Sequence, residues 1–450
     1  MRVAIGIMSR HDLHCGENAS SRCLDVGHSS LVEKCSSLFR KGFFHIFGAN
    51  LINKVVAFAT NIAIVWFLTK DDYGIFGYAN NIYSIAVLIT GFGLLTGMLQ
   101  FCLEKRPSAE KDAIFRYSLT RGILVDLVIV LCLLFVGLVI PLPIEQAGRY
   151  LALFGPLILL SYLFEYASTV LRIKFENQKY AILQNINTIA YFVFACFGAY
   201  LGGIAGTILA RYIAFVVSIG IALVFLKSSS FSLGHSHKLS ASQRRSLWTY
   251  SIPTQFSWAL NQLTYLLDVL LVGLFIHNAA DVASYKVATM LPEGLLFIPS
   301  SIIVFALPFF IKHNHDRAWF IAKSSAYLRI GGLFFFLISL LLIVFAPWII
   351  ELLWGVQYLD ATTVFRLLAA SFAFSAIRST CTHLLCAVRA VKENLAISVF
   401  SVALNVLLCL LLIPKFGING AAVAPLAVSI VTCAIACVAL IRTIVGIKEG

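Results

Sequence analysis

Eight ionisable residues stand where ionisable residues are costly: Lys54, Arg121, Asp126, Glu165, Arg211, Asp268, Glu293 and Arg378 all lie inside long apolar runs. Each run is roughly 20–28 residues, enough to cross the hydrocarbon core of a bilayer. A charge near mid-bilayer costs about 2.5–3.5 kcal/mol on insertion scales, so eight facing lipid would cost on the order of 20 kcal/mol. That exceeds the net stability of an ordinary protein, about 5–15 kcal/mol. These side chains must face one another, water or a ligand. Arg116, Lys286, Arg329 and Arg366 lie nearer the ends of their runs, where a long cationic side chain reaches the interface, and they carry less weight.

Spacing sharpens the reading. Asn50, Lys54 and Asn61 recur at i, i+4 and i+11, one side of a helix. Trp258, Asn261, Tyr265 and Asp268 follow steps of three, four and three, again one side. Two such polar stripes, each with an ion, predict a wet cleft in which cations and amides are prominent. Arg and Lys suit an anionic group, and amides and aromatics suit hydroxyls. The carboxylates are the natural carriers of a coupling proton or sodium ion, with Asp268 and Glu293 as the leading pair and Asp126 and Glu165 as alternatives. Pro292, Pro299 and Pro308, with Gly294 among them, mark the run holding Glu293 as one that bends.

These residues need a polytopic frame. About a dozen apolar runs fill the chain from Phe43 onward, in a composition that is 60% hydrophobic and 12% charged. Of the 34 Lys and Arg residues, about 23 fall in alternate connectors and at the two termini, against about three in the intervening connectors, Lys70, Arg149 and Lys415. This alternation predicts an all-α membrane protein with about 12 spans and both termini in the cytoplasm. It also accounts for the net charge of +13 without nucleic acid. Residues 1–40 are polar, without a signal-peptide core, and are expected to be a disordered tail, or else translation begins near Leu31 or Val32 and residues 1–30 are not part of the protein.

The longest connector, rich in Ser and Lys/Arg, separates two halves. The expected division is a tail at 1–40, a first six-helix bundle at 41–227, a cytoplasmic linker at 228–246, a second bundle at 247–444 and a tail at 445–450. The halves repeat weakly: Asp72–Ala79 answers Asp281–Ala288, and Gly203-Ile204-Ala205-Gly206 answers Gly417-Ile418-Asn419-Gly420. An even number of spans per half makes the repeat parallel, about a pseudo-twofold along the membrane normal.

Enzymatic signatures are absent from the sequence. There is no nucleotide-binding lysine loop, no GxSxG and no HExxH. His235, His237, His313 and His315 cluster in two loops without a matching Cys or carboxylate set, so no metal and no cofactor is expected, beyond a coupling H+ or Na+. Six cysteines (Cys102, Cys132, Cys196, Cys409, Cys433 and Cys437) lie in or beside apolar runs as small hydrophobes.

The stretch Lys41–Ala79, ending in Asp72-Tyr73-Gly74, resembles the first helix pair of polysaccharide-transport proteins. These form the O-antigen flippase branch of the multidrug/oligosaccharidyl-lipid/polysaccharide exporter superfamily. Leu266–Gly273, with Asp268 in the family's acidic position, and Ile413–Ser429, with Gly417, Gly420 and Ala421, are similar to later helices of that family. The resemblance spans about residues 41–444. It implies two bundles facing each other in a V, as in multidrug exporters of this superfamily, and alternating access. It implies a non-enzymatic flippase that carries a polyprenyl-pyrophosphate-linked oligosaccharide from the cytoplasmic to the outer leaflet of the inner membrane, working with a polymerase and chain-length machinery. Under that reading Lys54, Arg211 and Arg378 meet the phosphates, and Asn50, Asn61, Asn261, Gln262 and Tyr265 meet sugar hydroxyls. Two readings compete: a cation-coupled multidrug antiporter of the same fold, which would favour a more acidic cavity, and a membrane polymerase or ligase, which would want a large external loop.

Overall fold

The computed structural model describes residues 44–229, 238–313, 316–388 and 390–445. The tail at 1–40, residues 230–237 of the linker, the last five residues and the loop histidines His235, His237 and His315 lie outside the described residues. Among those described, every regular element is helical: α1 (Phe44–Phe67), α2 (Lys70–Val87), α3 (Leu94–Leu103), α4 (Ser108–Val139), α5 (Ala147–Phe154), α6 (Leu157–Ile173) and α7 (Asn177–Ser228) in the first half. The second half holds α8 (Ala241–Ile276), α9 (Ala279–Leu295), α10 (Phe297–Lys312), α11 (Arg317–Val344), α12 (Ala346–Trp354), α13 (Thr362–Ala387) and α14 (Val391–Val445), with a short 3₁₀ turn, Val356–Ala361, before α13.

By length and composition, eight helices among the described residues can cross a membrane, or nine if the two limbs of α8, bent by 53°, count as one span. That is fewer than the dozen runs predicted. Part of the difference lies in α7 and α14, of 52 and 55 residues, each of which folds back on itself yet counts once, and part in α1, whose apolar stretch Leu51–Phe67 is too short to be counted. Gly203 interrupts α7 at φ 55, ψ −134 and Gly417 interrupts α14 at φ 58, ψ −138, a conformation that is essentially glycine's alone. A Cβ on Gly198 would stand 2.3 Å from the carbonyl oxygen of Gly206, and one on Gly420 would stand 2.3 Å from that of Leu412. Both glycines thus sit at the tip of a tight helical hairpin, five residues after one contact and three before the other. The matched hairpins are the internal repeat in three dimensions.

Caps explain the other matched motif. Thr69 caps α2 by accepting from the Asp72 N–H, and Asn278 caps α9 by accepting from the Ala280 N–H. Asp72 and Asp281 then lie in the first turns, where a negative charge meets the positive end of the helix dipole. The two helix starts touch: a Cβ on Gly74 would come within 1.9 Å of the Ala279 carbonyl oxygen. No other residue fits Gly74 at this approach.

Packing within each half runs through its hairpin. α7 lies against α1 and α6; α14 lies against α13 and α8, with α11, α10 and α9 also on α13. The halves meet along α2 with α9 and along α8 with α2 and α3. Leu138, Leu201 and Phe197 are among many large apolar side chains left more than 60% exposed, as a lipid-facing surface requires. This is a multi-pass membrane protein.

Candidate functional site

The second half encloses a polar cavity built by one face of each of four helices. On α8, Thr264, Tyr265 and Asp268 line it; on α14, Ser401 and Asn405 do so at i and i+4. Thr289 and Glu293 enter from α9, and Ser371, Ser375 and Arg378 from α13. The cavity volume is about 60 Å³, room for a few water molecules.

Asp268 is its most constrained member. The carboxylate is 5% exposed and its Oδ1 accepts from Asn405 Nδ2 at 2.7 Å and from the Cys409 thiol at 3.6 Å. Asn405 Nδ2 also donates to the Thr264 carbonyl at 3.3 Å, which fixes the orientation of the amide. Its Oδ1 in turn accepts from Cys409 at 3.5 Å. Glu293 lies three residues before Leu296, where α9 gives way to α10. The proline-rich span is therefore broken beside the acid, as its composition predicts. Arg378 reaches the same cavity, with its buried Nε lacking a hydrogen-bond partner among the described residues. Four of the predicted site residues, Tyr265, Asp268, Glu293 and Arg378, thus come together in one pocket.

The remaining predicted residues do not join it. Lys54 and Asn61 are exposed on α1, with Asn61 Nδ2 donating to the Ala57 carbonyl at 3.0 Å, and Gln262 is exposed on α8. The side chains of Asn50 and Asn261 lie outside the described residues. Arg211 stacks between Tyr191 and Phe215, its guanidinium 4.4 and 4.7 Å from the ring centroids. Glu165 lies within electrostatic reach of Arg211 and Arg172. Asp126 is fully buried on α4 and accepts from the Gly91 N–H at 2.6 Å.

Two residues given little or no weight in the sequence take central places. Asn405 was legible only as the middle of a Ser401–Asn405–Cys409 stripe in an apolar run. Lys286 is half-buried on α9 between the halves, its Cγ 3.7 Å from where a Cβ on Gly77 would stand, and Glu293 acts on it electrostatically. It does not snorkel from a helix end. None of the eight intramembrane charges forms an ion pair within 4 Å among the described residues. The ion pairs there join Lys70 to Asp360, Arg106 to Glu104 and Glu110, and Lys179 to Glu176.

A family model described as "Polysaccharide biosynthesis protein" matches residues 63–363, two thirds of the chain. The chain belongs to this polysaccharide biosynthesis family. No curated protein sequence matches it significantly. Among solved structures, it is similar to the lipid II flippase MurJ in an inward closed conformation, with a TM-score of 0.72 at 17% identity, covering 89% of each chain. It is also similar to an inward-facing multidrug resistance MATE family transporter of the MOP superfamily, TM-score 0.70 at 12% identity, over 88% of this chain and 96% of that one. A third, a mutant of the Vibrio cholerae MATE transporter VcmN, gives 0.60 at 17% identity over 90% of this chain and 97% of that one. The fold of this family member is therefore the MOP-superfamily fold anticipated from the resemblance. The solved structures it resembles are those of a flippase and of transporters.

Proposed function

We propose that this protein is a flippase for a polyprenyl-pyrophosphate-linked oligosaccharide, such as an O-antigen, capsule or exopolysaccharide repeat unit. It moves the lipid from the cytoplasmic to the outer leaflet of the inner membrane by alternating access. The observation that carries the reading is the set of intramembrane cations without ion-pair partners among the described residues, in a chain of the polysaccharide biosynthesis family. A buried guanidinium left unpaired is costly unless an anion visits it, and a sugar pyrophosphate is such an anion. In this reading Lys54, Arg211 and Arg378 serve the phosphates, and Asn50, Asn61, Asn261, Gln262 and Tyr265 serve the sugar hydroxyls.

The second-half cavity is the coupling site of the proposal. Asp268 and Glu293 carry the driving H+ or Na+, and Asp126 and Glu165 are the first-half alternatives. The lack of ion pairs in the cavity favours this role over simple charge balance. Both termini and the 228–246 linker face the cytoplasm, and a polymerase with its chain-length partner receives the flipped lipid. The two acids in the cavity also favour a second reading, a cation-coupled drug antiporter of the same fold. Reconstituted vesicles decide between them. Flipping of a lipid-linked oligosaccharide, stimulated by an imposed pH or sodium gradient, supports the proposal. Gradient-driven efflux of an organic cation without flipping sinks it.

A further inference from the structure

The second span is not one helix. α2 ends at Val87 and α3 starts at Leu94, and between them Gly91, Phe92 and Gly93 have φ of 54, 43 and 76. Three consecutive left-handed residues are unusual, and Phe92 is strained there. A helix interrupted at membrane depth must find protein partners for the backbone groups it frees. Here they come from two directions. The Gly91 N–H donates to Oδ1 of Asp126 on α4 at 2.6 Å, and Asp126 Oδ2 has no partner among the described residues. The Leu88 carbonyl accepts from Nε2 of Gln255, on α8 of the other half, at 2.8 Å.

Both bonds go to groups that only the broken helix leaves free. In a continuous helix the Gly91 N–H would return to the Val87 carbonyl, and the Leu88 carbonyl would take the Phe92 N–H, which now donates to Ile89 at 3.0 Å. Asp126 and Gln255 would then each lose a partner. The break also lets α3 lie backbone-close on α8: a Cβ on Gly93 would stand 2.6 Å from the Ser251 carbonyl oxygen, and one on Gly97 2.1 Å from Ser251 Oγ. Straightening the span re-aims α3 and removes that contact.

We propose that residues 88–93 are a two-state joint in the second span. The joint is broken when α3 lies against α8 and continuous when the halves part at their basic end, and Asp126 and Gln255 are positioning residues for the broken state. The consequence for transport rests on the alternating-access reading above; the joint itself does not. A Cβ on Gly97 would be 3.4 Å from Ser251 Cβ, close to disulfide range, so Gly97→Cys with Ser251→Cys reports the contact, in a Cys102→Ser background.

In membranes treated with an oxidant, Gln255→Leu and Asp126→Leu should each slow cross-linking by about tenfold, as expected for losing one buried charged or amide hydrogen bond. Asp126→Asn, which keeps an accepting oxygen, should retain it. Gln255 is only half-buried, so its variant tests the joint even where Asp126→Leu fails to accumulate. Unchanged cross-linking in Gln255→Leu overturns the latch. In reconstituted vesicles the oxidised pair should stop flipping and the reductant should restore it; flipping at full rate with the disulfide closed overturns the joint and leaves the flippase reading intact. Cross-linking that responds to Gln255→Leu in a protein that never flips the lipid sinks the flippase reading and leaves the joint standing.

Discussion

The two halves share a frame and diverge in what they do with buried charge. Gly203 and Gly417 take the same backbone conformation at the same place in their hairpins. Yet Asp126 in the first half is spent on a backbone amide at a helix break, and Arg211 lies between two aromatic rings. In the second half, Asp268, Glu293 and Arg378 open into a polar cavity. A repeat conserves what backbone geometry demands, here a glycine at each hairpin tip. Side chains on the repeated helices are free to become anchors in one half and a site in the other. The difference is one of surroundings: backbone and aromatic partners in the first half, a cavity in the second.

The largest effect should come from the cations. Lys54→Ala, Arg211→Ala and Arg378→Ala combined should abolish surface glycan at unchanged protein level, since each charged hydrogen bond is worth about 1.5–3 kcal/mol. Normal glycan in the triple variant would remove the phosphate-binding role. Of the three single variants, Arg378→Ala is expected to be the most severe for transport, because its guanidinium opens into the cavity rather than resting on rings.

Next come the acids. Asp268→Asn and Glu293→Gln should lose gradient-stimulated flipping by about tenfold or more, the size of one charged hydrogen bond, while Glu165→Gln should not. Retained stimulation in both second-half variants would turn the cavity acids into charge balance and erase the contrast between the halves.

The hairpin tips should behave alike. Gly203→Ala and Gly417→Ala place a Cβ in open space, so the cost is backbone strain alone, about 1–3 kcal/mol each. Thermal unfolding in detergent measures it; a large effect at one tip and none at the other would break the repeat. The smallest effect belongs to the end contact between halves. Lys70 Nζ lies 2.7 Å from Asp360 Oδ2 and 3.0 Å from the Gln357 carbonyl, partly exposed, so a double-mutant cycle of Lys70→Ala and Asp360→Ala should return about 0.2–1 kcal/mol. A coupling several times larger would mark it as a gate rather than a trim.

Much of the architecture was legible because bilayer physics acts on sequence directly. Apolar runs of crossing length and Asp72 and Asp281 opening helices are one-dimensional signals. So was the intramembrane position of Asp268, because a carboxylate in an apolar run stands out wherever its helix goes. Tertiary structure alone decided which charges meet. Asn405 became the partner of Asp268 because α14 packs on α8, and Lys286 lies between the halves because α9 packs on α2. The left-handed break depends on Asp126, 35 residues from the Gly91 it holds, and on Gln255, 167 residues from Leu88. Hydropathy places a residue in the membrane; only the packing of one helix on another says what it will touch there, because the partners of a buried polar group are set by distances that no local pattern encodes.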